Sequence, residues 1–165
     1  MNNIVIRMAS LSDIEDILLI YNEGIVDRIA TLETLIKDKS YMVEWFNKHM
    51  DRYKVIVAEM DRKVVGWASL NQYSSRDAYN GVADLSIYIK RESRGKGIGG
   101  KLLSSIERLA KENDFHKIVL FTFPFNSLGQ GLYKKQGFRV VGVFQNQGKL
   151  DGEFVDVMAM EKLLF

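Results

Sequence analysis

The sequence predicts an α+β domain, built as a mixed, mostly antiparallel sheet of about seven strands with helices packed on it. Three observations carry this. Short apolar runs rich in β-branched residues cluster mid-chain and at the end; amphipathic stretches of helical period separate them; and the order βααβββαβαββ combines an antiparallel meander with a βαβ crossover. The 165 residues, 47% hydrophobic and 27% charged, suit a single domain over 1–165, with no Pro/Ser-rich linker to divide it.

Element by element, Ile4 to Arg7 reads as a short strand. Ser12 and Glu15 form a capping box that opens a helix with Ile14, Ile17, Leu18, Tyr21 and Ile25 on one face. After a less regular stretch from Asp27 to Lys39, Ser40 to Met50 is a second amphipathic helix, its apolar side made of Met42, Val43, Trp45, Phe46 and Met50. Val55 to Ala58 and Val64 to Leu70, linked by Asp61-Arg62-Lys63, form a hairpin, and Val82 to Ile89 is the next strand. Ile98 to Asn113 is helical through Ile98, Leu102, Ile106 and Leu109, and Ile118 to Phe123 is a strand. Asn126 to Gln136 is a last helix stopped by Gly137, and strands Phe138 to Val143 and Phe154 to Met160 close the chain.

Composition excludes several functions. Without cysteine there is no disulfide, thiolate metal site or covalent thiol intermediate, and the two histidines do not make a zinc site alone. That usage suits a reducing cytoplasm. A net charge of +2 is too small for a nucleic-acid binder on bulk electrostatics, and no window approaches the ~20 apolar residues of a membrane span.

The most informative segment joins a strand to a helix: Arg91-Glu92-Ser93-Arg94-Gly95-Lys96-Gly97-Ile98-Gly99-Gly100-Lys101. Glycines there allow close backbone approach to a ligand, and the free N–H groups of the helix start suit phosphate oxygens. Between Lys90 and Lys101 five basic residues face one acid, which favours a polyphosphate over a long nucleic-acid backbone. Gly95, Gly97 and Gly100 satisfy G-x-G-x-x-G, but the ribose-binding acid of a dinucleotide fold is missing where Ile118 to Thr122 stand. Gly95 and Gly100-Lys101 nearly form a P-loop, yet Leu102 occupies the magnesium-binding hydroxyl position. Arg94, Gly97 and Gly99 meet a third pattern, basic residue-x-x-Gly-x-Gly; an ordinary glycine-rich turn is the alternative on these residues alone.

On a strand-loop-helix, Arg94-Gly95-Lys96-Gly97-Ile98-Gly99 resembles the acetyl-CoA pyrophosphate loop of the GNAT superfamily of N-acetyltransferases. Ile20-Tyr21-Asn22, Ala30-Thr31-Leu32-Glu33, Val64 to Ala68, Ala83 to Ile89, Leu132 to Phe138 and Asp151 to Val157 look like the phosphinothricin acetyltransferase branch, in order and over nearly the whole chain. The resemblance implies helices on both faces of a sheet that splays between its fourth and fifth strands. It implies acetyl-CoA bound by residues 94–100, by the backbone of Ile87, Tyr88 and Ile89, and by Asn126 and Tyr133. It further implies a small-molecule amine acceptor, an amino acid or an analogue such as phosphinothricin or methionine sulfoximine, and a homodimer. Acetylation of a protein or peptide and a non-catalytic acyl-CoA sensor are the alternatives.

Acetyl transfer needs a neutral amine, a stabilised thioester oxyanion and a proton for the departing sulfur. Period two puts Asp84, Ser86 and Tyr88 on one strand face, away from Ala83, Leu85 and Ile87. The resemblance places its usual glutamate base at Asp84, one methylene shorter here, which acts as base or orients the ammonium. A main-chain N–H of 87–89 polarises the carbonyl. Tyr133 is the general acid, although this branch more often shows histidine there. Tyr73, Arg76 and Tyr79 lie where the branch builds its acceptor pocket, with Arg76 suited to a carboxylate or phosphinate. Gly129 and Gly131 read as close packing on the cofactor, Trp45 and Trp67 as core, His49 and His116 as surface residues.

Overall fold

Burial along the central strands decides the architecture. In the computed structural model, which describes residues 3–49 and 51–165, Val55 and Val57 of strand β2 (Val55–Met60) join one apolar cluster, while Ile56 and Ala58 join another on the opposite face. A strand buried on both faces requires cover on both. Helices α1 (Ile14–Asp27) and α2 (Lys39–Lys48) cover the first face, setting Ile14, Ile17, Ile20 and Met42 against Val64 and Trp67. Helix α3 (Ile98–Glu112) covers the second with Ile98, Leu102, Leu103 and Ile106. Leu102 and Ile106 are fully buried, so truncating either to alanine costs about 2–5 kcal/mol.

Among the described residues, seven strands form one sheet: β1 (Ile4–Met8), β2, β3 (Lys63–Gln72), β4 (Val82–Ile89), β5 (Lys117–Thr122), β6 (Arg139–Leu150) and β7 (Glu153–Leu163), in the spatial order β1-β2-β3-β4-β5-β7-β6. Every pairing is antiparallel except that of β4 with β5, and this parallel pairing covers only Val82 to Asp84 against Lys117 to Val119. Beyond Asp84 the two strands part. Helix α4 (Ser127–Lys135) follows β5, and its Leu132 and Tyr133 pack against the α3-side core. The splayed, mostly antiparallel sheet expected from the resemblance is present. No helix among the described residues is long and apolar enough to cross a membrane.

Local details depart from expectation for identifiable reasons. The capping box is Ser10 with Asp13, not Ser12 with Glu15: Ser12 lies within a 3₁₀ turn before α1, and Ser10 N–H donates to Asp13 Oδ2 at 2.8 Å. Arg7 grips the same carboxylate with two 2.8 Å bonds, tying β1 to the helix start and holding Asp13 below the usual carboxylate range. The β2–β3 link is the pair Asp61-Arg62, both left-handed (φ 54° and 64°), which is the twist a two-residue hairpin demands, and Lys63 already belongs to β3. Met50, expected on the apolar side of α2, lies outside the described residues. Strand β6 runs on to Leu150 because Asp151-Gly152 makes a tight turn (φ 51° and 83°) into β7; the polar run between Phe144 and Gly148 bulges out of register rather than ending the strand.

Candidate active site

The parting of β4 and β5 exposes main chain inside the protein. Lys90 N–H donates to Val65 O at 2.8 Å, which sets the phase of the β3–β4 ladder. By antiparallel alternation, the main-chain groups of Asp84, Ser86 and Tyr88 face β3, whereas those of Leu85, Ile87 and Ile89 turn toward the side that β5 has left. Ile89 O is met there by Arg94 Nε at 3.3 Å. Of the three residues expected to offer main chain to a ligand, Ile87 and Ile89 turn theirs toward the open side. Tyr88 contributes its ring instead, stacked on Trp67 at 5.0 Å and edge-on to Tyr21 at 5.1 Å, with burial raising its hydroxyl well above the ordinary phenol range.

The opening is a cavity of about 200 Å³ lined by Asp84, Ile87, Tyr88, Asn126 and Tyr133, and roofed by Ala30, Thr31 and Leu32. The roof is built from the segment after α1. Arg28, left-handed at φ 58°, donates to the carbonyls of Ile25, Glu33 and Thr34 and pairs with Asp151 at the β6–β7 turn. Asn22 pins the far end through both main-chain groups of Lys37 at 2.8 and 2.9 Å. A second, more open cavity of about 600 Å³ carries Tyr73, Arg76 and Tyr79. Asp84 and Phe121 line both cavities and so stand at their junction.

At the end of β4 a 3₁₀ turn leads into the glycine loop. Gly95 and Gly97 adopt φ +78° and +82°, left-handed conformations strained for other residues, and Gly97 caps α3. Main-chain N–H groups of Ile98, Gly99 and Gly100 in the first turn of α3 lack helical acceptors by construction, the arrangement that suits an anion. Lys96 is exposed beside them. Gly99 serves packing, since a Cβ there would stand 2.6 Å from Leu132 of α4. The loop is less positive in space than in sequence. Asp27 binds Arg91 at 2.5 Å and Arg94 at 3.1 Å, Glu23 accepts from the Arg91 main chain, and Glu92 pairs with Lys90. The Arg91 and Arg94 guanidinium groups in turn hold Asp27 below the usual carboxylate range.

Two titratable side chains line the same cavity. Burial pushes the Asp84 carboxyl up to about 6, opposed by a hydrogen bond from Asn71. Burial alone pushes the Tyr133 hydroxyl up to about 12, so this phenol stays protonated throughout the physiological range. Asn126 caps α4 by accepting from Gly129 N–H at 3.1 Å, and a Cβ on Gly129 would lie 2.5 Å from the Asn126 amide. Gly129 therefore makes room for its own cap, and a Cβ on Gly131 would meet no protein atom within 4 Å.

Sequence reasoning missed the groups behind Asp84. Asn71 of β3 stands directly opposite it, and His49, expected as a surface residue, is part-buried with Nε2 2.7 Å from Asn71 Oδ1. The β3–β4 register would have exposed the Asn71–Asp84 pair, but an intervening loop of irregular length hides that register from the sequence. Trp67 is core as expected, Trp45 packs beside it at 5.3 Å, and His116 is exposed.

A sheet that splits to expose one strand's amides, above a glycine loop at a helix start, defines an acyl-carrier-binding transferase fold. The acetyltransferase (GNAT) family profile matches residues 15–138, and this chain belongs to that family. YwnH of Bacillus subtilis (strain 168), provisionally named a phosphinothricin acetyltransferase, is 32% identical over 96% of this chain and 98% of its own. The L-methionine sulfoximine/L-methionine sulfone acetyltransferase of Pseudomonas paraeruginosa is 27% identical over 94% of this chain and 92% of its own. The crystal structure of a phosphinothricin acetyltransferase from Sinorhizobium meliloti in complex with acetyl-CoA superimposes with a TM-score of 0.92 at 27% identity, covering 97% of this chain and 88% of that one.

Proposed function

We propose that this enzyme transfers the acetyl group of acetyl-CoA to the primary amine of an amino acid or a close analogue, in the manner for which its methionine sulfoximine- and phosphinothricin-acetylating relatives are named. The observation that carries the reading is the position of Asp84 at the junction of two cavities. One runs along the free β4 edge, and the other presents Arg76 with Tyr73 and Tyr79.

The residues fit the donor. Main-chain amides from Gly95 to Gly100, with Arg94 and Lys96 beside them, would hold its diphosphate, the Ile87 and Ile89 edge would bind its amide-bearing arm, and Asn126 would line its path. When bound, acetyl-CoA supplies an activated acetyl thioester. Arg76 receives the acceptor's carboxylate or phosphinate bidentately. Asp84, ionised above about pH 6, takes a proton from the acceptor ammonium, directly or through water, and frees the nitrogen lone pair. Ile87 N–H points into the split, where it stabilises charge on the carbonyl oxygen. Tyr133 keeps its proton on Oη and offers it to the departing sulfur. A thiol titrates near about 8.5, so complete transfer from a phenol at about 12 is uphill and the interaction acts mainly as a hydrogen bond. No cysteine exists to carry the acetyl group, which supports direct transfer.

The cysteine-free composition supports a cytoplasmic setting, and exposed Val141, Val143 and Phe144 on the outermost strand β6 support a homodimer of single-domain protomers. The test is thiol release from acetyl-CoA across free amino acids, their sulfoximine and phosphinate analogues, polyamines and peptides. Turnover confined to free α-amino acids or their analogues is expected. Preference for peptides would overturn the acceptor class, and absence of turnover with every amine would overturn the enzyme reading.

A further inference from the structure

Asn71 uses every hydrogen-bonding position of its side chain. Nδ2 donates to Asp84 Oδ2 at 3.1 Å and to Ser86 Oγ at 2.9 Å, while Oδ1 accepts from Ser69 Oγ at 2.9 Å and meets His49 Nε2 at 2.7 Å. His49 is held in turn by α2, with Nδ1 2.8 Å from Trp45 O and its ring 4.3 Å from the Trp45 indole. Turned over, the amide would aim its oxygen at the Asp84 carboxylate, so only the present orientation suits an ionised Asp84. In that orientation Asn71 Oδ1 is the atom that faces the His49 ring, 2.7 Å from Nε2. The row is carboxylate, amide, imidazole ring.

We infer that His49, acting through Asn71, is a positioning residue for Asp84: it locks the amide so that the N–H faces the carboxylate. The inference rests on the reading of Asp84 as the proton acceptor. It also explains how an aspartate serves where the resemblance expects a glutamate, since a shorter carboxylate held from behind presents its free oxygen in one fixed direction. The other titratable groups around Asp84 are Tyr88 on its own strand, Tyr133 on α4, and Tyr73, Arg76 and Tyr79 in the segment after β3. On α2, Glu44 and Lys48 pair with each other at 3.3 Å.

The test compares His49→Gln, Asn71→Leu, the double variant and Asp84→Asn, using acetyl-CoA and L-methionine sulfoximine between pH 5 and 9, with acetyl-CoA protection in thermal melts as the folding control. His49→Gln should lower kcat about 10-fold at pH 7.5, leave the KM for acetyl-CoA within about two-fold, and move the acidic limb of kcat/KM up by about half a pH unit or more. Because His49 acts through Asn71, the double variant should match Asn71→Leu alone. An unmoved acidic limb with unchanged kcat, or additive losses, would overturn the positioning role while leaving Asp84 as the base. Unchanged turnover in Asp84→Asn would overturn the base instead. A second readout needs no turnover: the chain has two histidines, so ring NMR of a His116→Gln background reports His49 alone. Its ring resonances should shift in Asn71→Leu, and unchanged resonances would refute the contact.

Discussion

Replacing Asp84 with asparagine keeps the shape of the side chain and removes the charge that burial opposes. The carboxyl is pushed up to about 6 from an ordinary 3.8. A raised carboxyl favours the folded state while protonated, and that advantage disappears as pH rises through about 6; above it, the native protein carries the cost of a buried anion. A difference of about two pH units at about 1.4 kcal/mol each gives about 3 kcal/mol at pH 8, falling to about 1 kcal/mol at pH 4.5. Asp84→Asn should therefore be more stable than the parent by up to about 3 kcal/mol at pH 8, roughly 6–12 °C in Tm for a chain of this size, while losing most of its turnover. Urea titrations at pH 4.5 and 8, read by tryptophan fluorescence, measure the difference directly. A stability gain that is equal at both pH values, or a loss at pH 8, would refute the claim that the site buries a charge for the sake of chemistry.

Tyr133→Phe should reduce kcat roughly 10²-fold while acetyl-CoA still protects the protein in thermal melts; unchanged turnover would remove the phenol from the mechanism. Gly97→Val should abolish that protection, because φ +82° strains a β-branched residue and displaces the amides at the start of α3. Arg76→Ala should raise the KM for a carboxylate-bearing acceptor about 10- to 100-fold with little change in kcat, as expected for a group that binds without taking part in the chemistry; initial-rate kinetics with L-methionine sulfoximine and its amide would separate the two.

Much of the fold was legible because its strongest signals are local. The glycine loop, the helical stripe Ile98, Leu102 and Ile106, and the alternation through Asp84 each depend on neighbours within a few residues, and the structure places them as read. The capping box misled because two overlapping serine-to-acid spacings compete, and only the Arg7 contact, across a turn, selects Asp13. Strand β6 reads short in sequence because Gln145, Asn146 and Gln147 are polar, yet a bulge absorbs them and β7 pairs again beyond it. His49 could not be read at all. Its contact with Asn71, and through it with Asp84, joins the end of α2 to β3 and β4, elements separated by loops whose geometry no periodicity encodes.

The Asp27 clamp bears on how the proposed donor cradle of the glycine loop would recognise its ligand. With Arg91 and Arg94 already neutralised from α1, attraction for a ligand rests more on oriented peptide dipoles than on mobile cations. Such a cradle is set before anything arrives, and it sheds few counterions on filling. Donor affinity should therefore decline only weakly between dilute and near-molar sodium chloride, and simple polyanions should compete poorly, because they match the cradle's charge without matching its shape.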